Sequence, residues 1–142
     1  MLVLIFNINN NKYAVDVAYI HEAILRQGMT PMAGMADFVA GETNVRGTLY
    51  TCVDLSSMLF GVRGKWAKTQ IFLLASCDNS YVSMIVDSVD NVITINEKDI
   101  DTSMLQFVHD DTRLMDGIFR YKDNLVSLVD IKSVVGTMRG KG

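Results

Sequence analysis

The stretch "NVRGTLYTCVDLSSML", residues 44–59, decides the reading of this chain. It opens on a turn-like Asn-Val-Arg-Gly. It then runs through Leu49, Tyr50, Cys52 and Val53, residues that suit a pleated and half-buried strand. It stops at Asp54, followed by Ser56 and Ser57, residue types that cap helices, with Met58 and Leu59 placed to pack back. A strand passing into a short helix through a carboxylate is the local reading. Arg46, alone between apolar neighbours at the strand entrance, needs a partner if it is partly buried. Glu22, in the preceding apolar segment, is the candidate acid.

The same grammar recurs. "LYTCVDLSSML" is similar to "LVSLVDIKSVV", which pairs Asp54 with Asp130 (130 − 54 = 76). "YAVDVAYIHEAI" is similar to "MIVDSVDNVITI", which pairs Asp16 with Asp87 (87 − 16 = 71). Periodic self-similarity points to a duplicated unit. Each copy is too small to bury its faces well alone, so two similar barrels in one body are expected.

The remaining strand signals fit. "LVLIFNI", "KYAVDVAYI", "QIFLLAS", "YVSMIVDSV", "NVITI", "DGIFRY" and "NLVSLVDI" are short, β-branched or aromatic, and bounded by turn residues. "NNNKY", "CDNSY" and "YKDNL" read as hairpin turns, because Asn and Asp tolerate left-handed backbone. The run Ile71, Phe72, Leu73, Leu74 is continuous, the mark of a strand buried on both faces. Residues 18–27 carry a pattern open to helix or strand. Residues 29–44 hold the single proline, Pro31, with Gly28, Gly34 and Gly41 in or beside them, and read as a loop. Residues 60–68 read as a linker between halves. The division expected is two pseudo-repeated barrel halves, about 10–68 and 69–135, with the N-terminal strand joining the second.

Composition bounds the function. The chain has 142 residues, 49% of them hydrophobic and 20% charged, with a net charge of −3. It holds enough apolar residues for a core, and its scattered cations give no basic face for nucleic acid. The apolar start is too short to span a bilayer and lacks the flanks of a signal peptide. Cys52 and Cys77 have no metal or redox spacing and read as small buried hydrophobes. His21 and His109 are isolated, no metal cluster is expected, and no phosphate-binding glycine motif occurs. Four repeated aspartates invite comparison with the paired acids of aspartic proteases. Their contexts, Asp-Val-Ala, Asp-Leu-Ser, Asp-Ser-Val and Asp-Ile-Lys, lack the protease signature. Strand-end carboxylates bonding the next turn are the better reading for Asp16, Asp54, Asp87 and Asp130. No catalysis and no cofactor are expected.

"NVRGTLYTCVDL" resembles the Asn-Leu-Arg-Gly…Val-Asp-Leu signature of the CheW family, the coupling proteins of bacterial chemosensory arrays. "KYAVDVAYIHEAI", "TPMAGMADFVAGETNVRG" and "MIVDSVDNVITI" resemble three further family segments, in the right order. The resemblance spans about residues 3–135. Departures fall at Gly34-Met35, Glu42, Thr51 and Ser56, and bear on partner choice. The resemblance implies a mainly all-β fold: two SH3-like five-stranded barrels around a shared core, with one or two short helices. It implies a cytoplasmic, non-enzymatic adaptor, recruited to membrane receptor arrays through its partners, without membrane insertion or nucleic acid. The implied partners are a CheA-type kinase regulatory domain, a chemoreceptor tip and other CheW-like domains. The implied receptor groove takes Ile20, Ala23, Ile24, Val86 and Val89. The implied partner-facing loop takes Met35, Phe38, Glu42, Asn44, Arg46 and Gly47, with Glu22 and Arg46 as a structural pair. A protein- or peptide-binding barrel outside chemotaxis is the alternative, followed by an oligonucleotide-binding barrel.

Overall fold

The computed structural model describes residues 1–140. Ten strands form two five-stranded sheets, each curled into a barrel. Strands β1 (Leu2–Ile8) and β2 (Asn11–Asp16) form a hairpin whose turn residues, Asn9 and Asn10, both hold positive φ. A single 3-10 turn, Val17–Tyr19, is capped by the Asp16 carboxylate and carries the chain into the other barrel. There follow β3 (Ile20–Leu25), β4 (Val39–Val45), β5 (Thr48–Asp54) and helix α1 (Leu55–Phe60). The second copy runs β6 (Ile71–Cys77), β7 (Ser80–Val86), β8 (Ser88–Thr94), β9 (Met115–Tyr121), β10 (Asn124–Val129) and helix α2 (Ile131–Met138).

The strand orders are β8-β1-β2-β10-β9 and β3-β6-β7-β5-β4. Place each element beside its repeat mate and the two orders become one. Strands β1, β2, β3, β4 and β5 correspond to β6, β7, β8, β9 and β10. Each copy therefore gives its first two strands to one barrel and its last three to the other. This corrects the expected division. The halves meeting near residue 68 are the repeat units, but neither folds into its own barrel, and β2 joins β1 in the barrel completed by the second half. The crossings fall at Asp16 and Asp87, the aspartates paired between "YAVDVAYIHEAI" and "MIVDSVDNVITI".

The interlacing produces three cores. Val3, Ile5, Ala14, Phe119, Val126 and Leu128 fill one barrel. Val45, Tyr50, Cys52, Phe72, Leu74 and Ile85 fill the other. Between the barrels lies the largest cluster, which includes Phe6, Tyr13, Val15, Val53, Leu73, Ala75, Met84, Val86 and, from the helices, Leu59 and Val134. Strand β6 alternates between two of these: Phe72 and Leu74 point into a barrel, Leu73 and Ala75 into the seam. That is the physical content of its continuous apolar run. Cys52 and Cys77 are buried free thiols, and burial pushes the Cys52 thiol up to about 11.

One further element was hidden in the sequence, and a second follows from the repeat. Strand β4 lies inside the segment expected to be loop; its residues, Val-Ala-Gly-Glu-Thr-Asn-Val, include weak strand formers, and pairing with β5 decides its conformation. Helix α2 follows Asp130, as α1 follows Asp54.

Each barrel is closed by one reciprocal pair of backbone bonds, Thr30 with Glu42 and Asp101 with Ile118. Glycines permit both closures. A Cβ on Gly41 would stand 2.7 Å from the Thr30 carbonyl oxygen, and one on Gly117 would stand 2.5 Å from Ile100 Cγ2. Gly41 and Gly117 occupy matching places in the two copies. The obstacle at Gly41 is backbone and cannot swing aside, so Gly41→Ala should open the Thr30–Glu42 closure and cost about 1–3 kcal/mol. Unchanged amide exchange protection at Thr30 and Glu42 would show that the closure tolerates a side chain.

Candidate functional site

Among the described residues, nothing assembles catalytic chemistry. All four repeat aspartates are occupied by hydrogen bonds: Asp16, Asp54 and Asp130 accept from the backbone of the turn that follows them, whereas Asp87, against expectation, accepts from groups distant in sequence. Asp16 accepts from the Ala18 N–H, and Asp130 from the Lys132 N–H and the Ser133 hydroxyl. Asp54, itself buried, accepts from the Ser57 and Gly64 N–H groups and from Trp66 Nε1–H at 2.8 Å. Asp87 accepts from the Asn9 N–H and from Gln70 Nε2. Carboxylates satisfied in this way cap and anchor turns. Among the described residues, no three His, Cys, Asp or Glu side chains converge to hold a metal.

What the molecule offers is surface, and Arg46 organises one part of it. Arg46 and Gly47 are the two central residues of the β4–β5 hairpin turn, with φ of 51° and 89°. Both positive angles are the mark of the turn that matches strand twist. Asn44 secures the turn by accepting the Gly47 N–H at 2.8 Å. The arginine is thereby held out from the barrel mouth, where it pairs with Glu22 of β3. Gln27 laces the same mouth by donating to Thr43 Oγ1 and to the Asn44 carbonyl.

The Arg46 side chain is 71% exposed and that of Glu22 35%, so solvent screens the pair and its stability worth is about 0–1 kcal/mol. The pair holds the guanidinium in one orientation. A double-mutant cycle of Glu22→Ala and Arg46→Ala should show clear coupling in partner affinity and weaker coupling in melting temperature. Additivity in both would mean that the pair does not form in solution.

The five groove residues do not stand together on a surface. Val86 is fully buried in the seam and cannot touch a partner, which corrects its expected role. Ile20 and Val89 are half-buried against the seam, and Ile24 is half-buried against the interior of the barrel of β3. Ala23 alone is exposed, on the opposite face of β3. Leu25 shares that face, is 68% exposed, and was missed by sequence reading. Ala23 and Leu25 pair with Leu73 and Ile71 of β6, so they carry the seam's apolar face out to the sheet edge.

The residues expected in one loop also divide. Met35 is exposed in a loop. Phe38 packs on the seam, and its carbonyl accepts the Asp54 N–H. Glu42 and Asn44 belong to strand β4, not to a loop, and Glu42 takes part in barrel closure. Only Asn44, Arg46 and Gly47 form one exposed tip.

A second surface had not been foreseen. An apolar groove of about 610 Å³ is lined by Tyr13, Phe60, Val62, Met104, Phe107 and Leu125, among others. Phe107, in the 3-10 turn Ser103–Phe107, is 73% exposed. The strap carrying it is tied down by the Tyr13 hydroxyl, which donates to Asp110 at 2.7 Å, and by the Asp111 N–H on the Leu59 carbonyl. Burial raises the pKa of both Tyr13 and Asp110. The apolar residues Met104, Leu105, Phe107 and Val108 were the available signal in the sequence.

A swapped double barrel that spends its carboxylates on turns and leaves apolar and charged edges exposed defines a protein-binding scaffold. Comparison with known proteins gives the family. A family model described as the CheW-like domain matches residues 2–138, and the chain belongs to that family. The chemotaxis protein CheW of Klebsiella aerogenes is 24% identical over 135 residues, covering 94% of this chain and 81% of that protein. CheW of Bacillus subtilis is 25% identical over 133 residues, covering 93% and 85%. The crystal structure of the scaffolding protein TtCheW from Thermoanaerobacter tengcongensis superposes with a TM-score of 0.82 at 22% identity, over 92% of this chain and 84% of that one. Family membership makes the chain a non-enzymatic coupling adaptor of the chemotaxis class, one that has diverged from these relatives in sequence.

Proposed function

We propose that this chain links a chemoreceptor to a CheA-type histidine kinase through separate surfaces of the two barrels. The receptor tip, a helical coiled coil, docks along the exposed face of β3, where Ala23 and Leu25 continue the apolar seam, with Ile20 and Val89 at its margin. An apolar helix stripe laid into such an edge is a recurrent mode of recognition. The kinase contributes its regulatory domain, of the same fold, at the hairpin tip of Asn44, Arg46 and Gly47. The groove under Phe107 and Leu125 gives a further contact to a CheW-like domain. The chain acts in the cytoplasm and reaches the membrane through its partners; among the described residues, no helix is long and apolar enough to cross a bilayer.

The observation that carries this reading is the exposed apolar face of the edge strand β3, where Ala23 and Leu25, the latter 68% exposed, continue the seam on the side opposite Glu22. Such apolar patches mark interaction sites. The test is co-sedimentation with a receptor signalling domain and, separately, with the kinase. Leu25→Lys should abolish receptor binding and leave kinase binding intact. Loss of neither, or binding to single-stranded nucleic acid alone, would contradict the assignment.

A further inference from the structure

Residues 61–70, which join the two repeat units, carry Arg63, Lys65 and Lys68 and no acid. The nearest carboxylates in sequence are Asp54 on one side and Asp78 on the other. Elsewhere the chain is acidic: its net charge of −3 becomes −6 once these three cations are set aside (−3 − 3 = −6). Arg63, Lys65 and Lys68 are all exposed, and among the described residues none of them is paired with a carboxylate.

The connector is tied down along its length. The Ser56 hydroxyl donates to the Val62 carbonyl at 2.9 Å. The Gly64 N–H and Trp66 Nε1–H both donate to Asp54 Oδ2, at 2.7 and 2.8 Å. The Gln70 N–H donates to the Ala67 carbonyl at 3.0 Å. Trp66 also packs on the core of the barrel of β3. The Arg63 guanidinium lies over the Trp66 ring, 4.0 Å from its centroid. A guanidinium stacked in this way keeps its N–H edge free for a carboxylate. The cations are therefore placed before any partner arrives, which lowers the ordering cost of binding.

The size of the patch selects the partner. A lipid surface is held by about four to eight clustered cations, and nucleic acid by about six to ten phosphate contacts. Either extended polyanion would also meet the negative charge carried by the rest of the chain. A short acidic peptide needs only the connector.

We propose that residues 61–70 form a docking surface for a short acidic segment of a protein partner. Arg63 takes one carboxylate through its planar fork, and Lys65 and Lys68 act on its neighbours as point charges. Complementarity of this kind speeds association and selects among partners. The inference follows from the connector alone and does not rest on the receptor or kinase assignment.

Trp66 is the chain's single tryptophan and lies within this surface, so its emission reports occupancy. Titrating a short, end-blocked, glutamate-rich peptide into the full chain at low salt should give a saturable change in Trp66 emission. Raising ionic strength with KCl from about 0.01 M to about 0.15 M should weaken the binding by about tenfold or more. Arg63→Glu and Lys65→Glu should each weaken it by about tenfold, with melting temperatures close to wild type. Lys122→Glu, in the β9–β10 turn of the other barrel, changes the net charge by the same amount and should leave binding unchanged. No saturable change, equal losses for Lys65→Glu and Lys122→Glu, or sedimentation with phosphatidylserine vesicles that the peptide does not compete would overturn the assignment.

Discussion

Leu73→Ala will destabilise the chain by about 2–5 kcal/mol in denaturant melts, the range for deleting a fully packed leucine. The site explains why the cost falls at the high end of single substitutions. Leu73 is wholly buried and points from β6 into the seam, where residues of both barrels and both helices meet. A void there cannot be closed by relaxing one sheet, because each barrel is a closed, hydrogen-bonded unit and the seam is bounded by both. The loss should appear as a lowered midpoint with an unchanged slope, since the two barrels share strands from both repeat units and cannot unfold separately. A loss of about 0.5 kcal/mol, the scale of a surface change, would remove Leu73 from the shared core.

Ile24→Glu will also lower stability sharply, and a change at its neighbour will not. Ile24 packs on the barrel interior formed by Tyr50, Phe72, Leu74 and Ile85. A carboxylate placed there loses hydration among apolar neighbours, a cost of about 3 kcal/mol or more. For a chain of this size the melting temperature should fall by about 10 °C. Burial raises the folded-state pKa of such a glutamate above its unfolded value. The penalty is therefore small below the unfolded pKa and grows as pH rises through both values, so the variant should recover much of its stability in acid. Ala23→Glu, one residue away on the exposed face, should leave the melting temperature close to wild type and weaken receptor binding. Equal melting temperatures for the two variants would mean that β3 is turned over in solution.

How much of this was legible in the sequence depends on which forces fixed each element. Hairpins such as Asn9–Asn10 and Asp78–Asn79 were legible because left-handed backbone selects asparagine and aspartate locally. Asp54 and Asp130 were legible as strand ends for a similarly local reason: each carboxylate caps the N–H groups of the next turn, within three residues. The exchange of strands between barrels was not legible, because the repeat pattern reads identically whether a strand packs on its own copy or on the other. Strand β4 was hidden by the glycine its closure needs. Val86 shows a further limit. Its alternation with Asp87 placed it on a strand, but which side of that strand meets the second barrel is decided by the swap. The pairing of Arg46 with Glu22 was inferred by resemblance and charge, and the barrel's closure brings the two together across distant strands.

The central claim is that one chain holds two partners at once, and a bridging assay tests it most directly. Receptor signalling domain in the pellet fraction should retain little CheA-type kinase alone, and should recruit it in proportion to added chain until the chain's sites saturate. Leu25→Lys should bind kinase in solution and leave it in the supernatant. Kinase recruited equally without the chain, or chain and kinase excluding one another from the receptor pellet, would contradict an adaptor with separate surfaces.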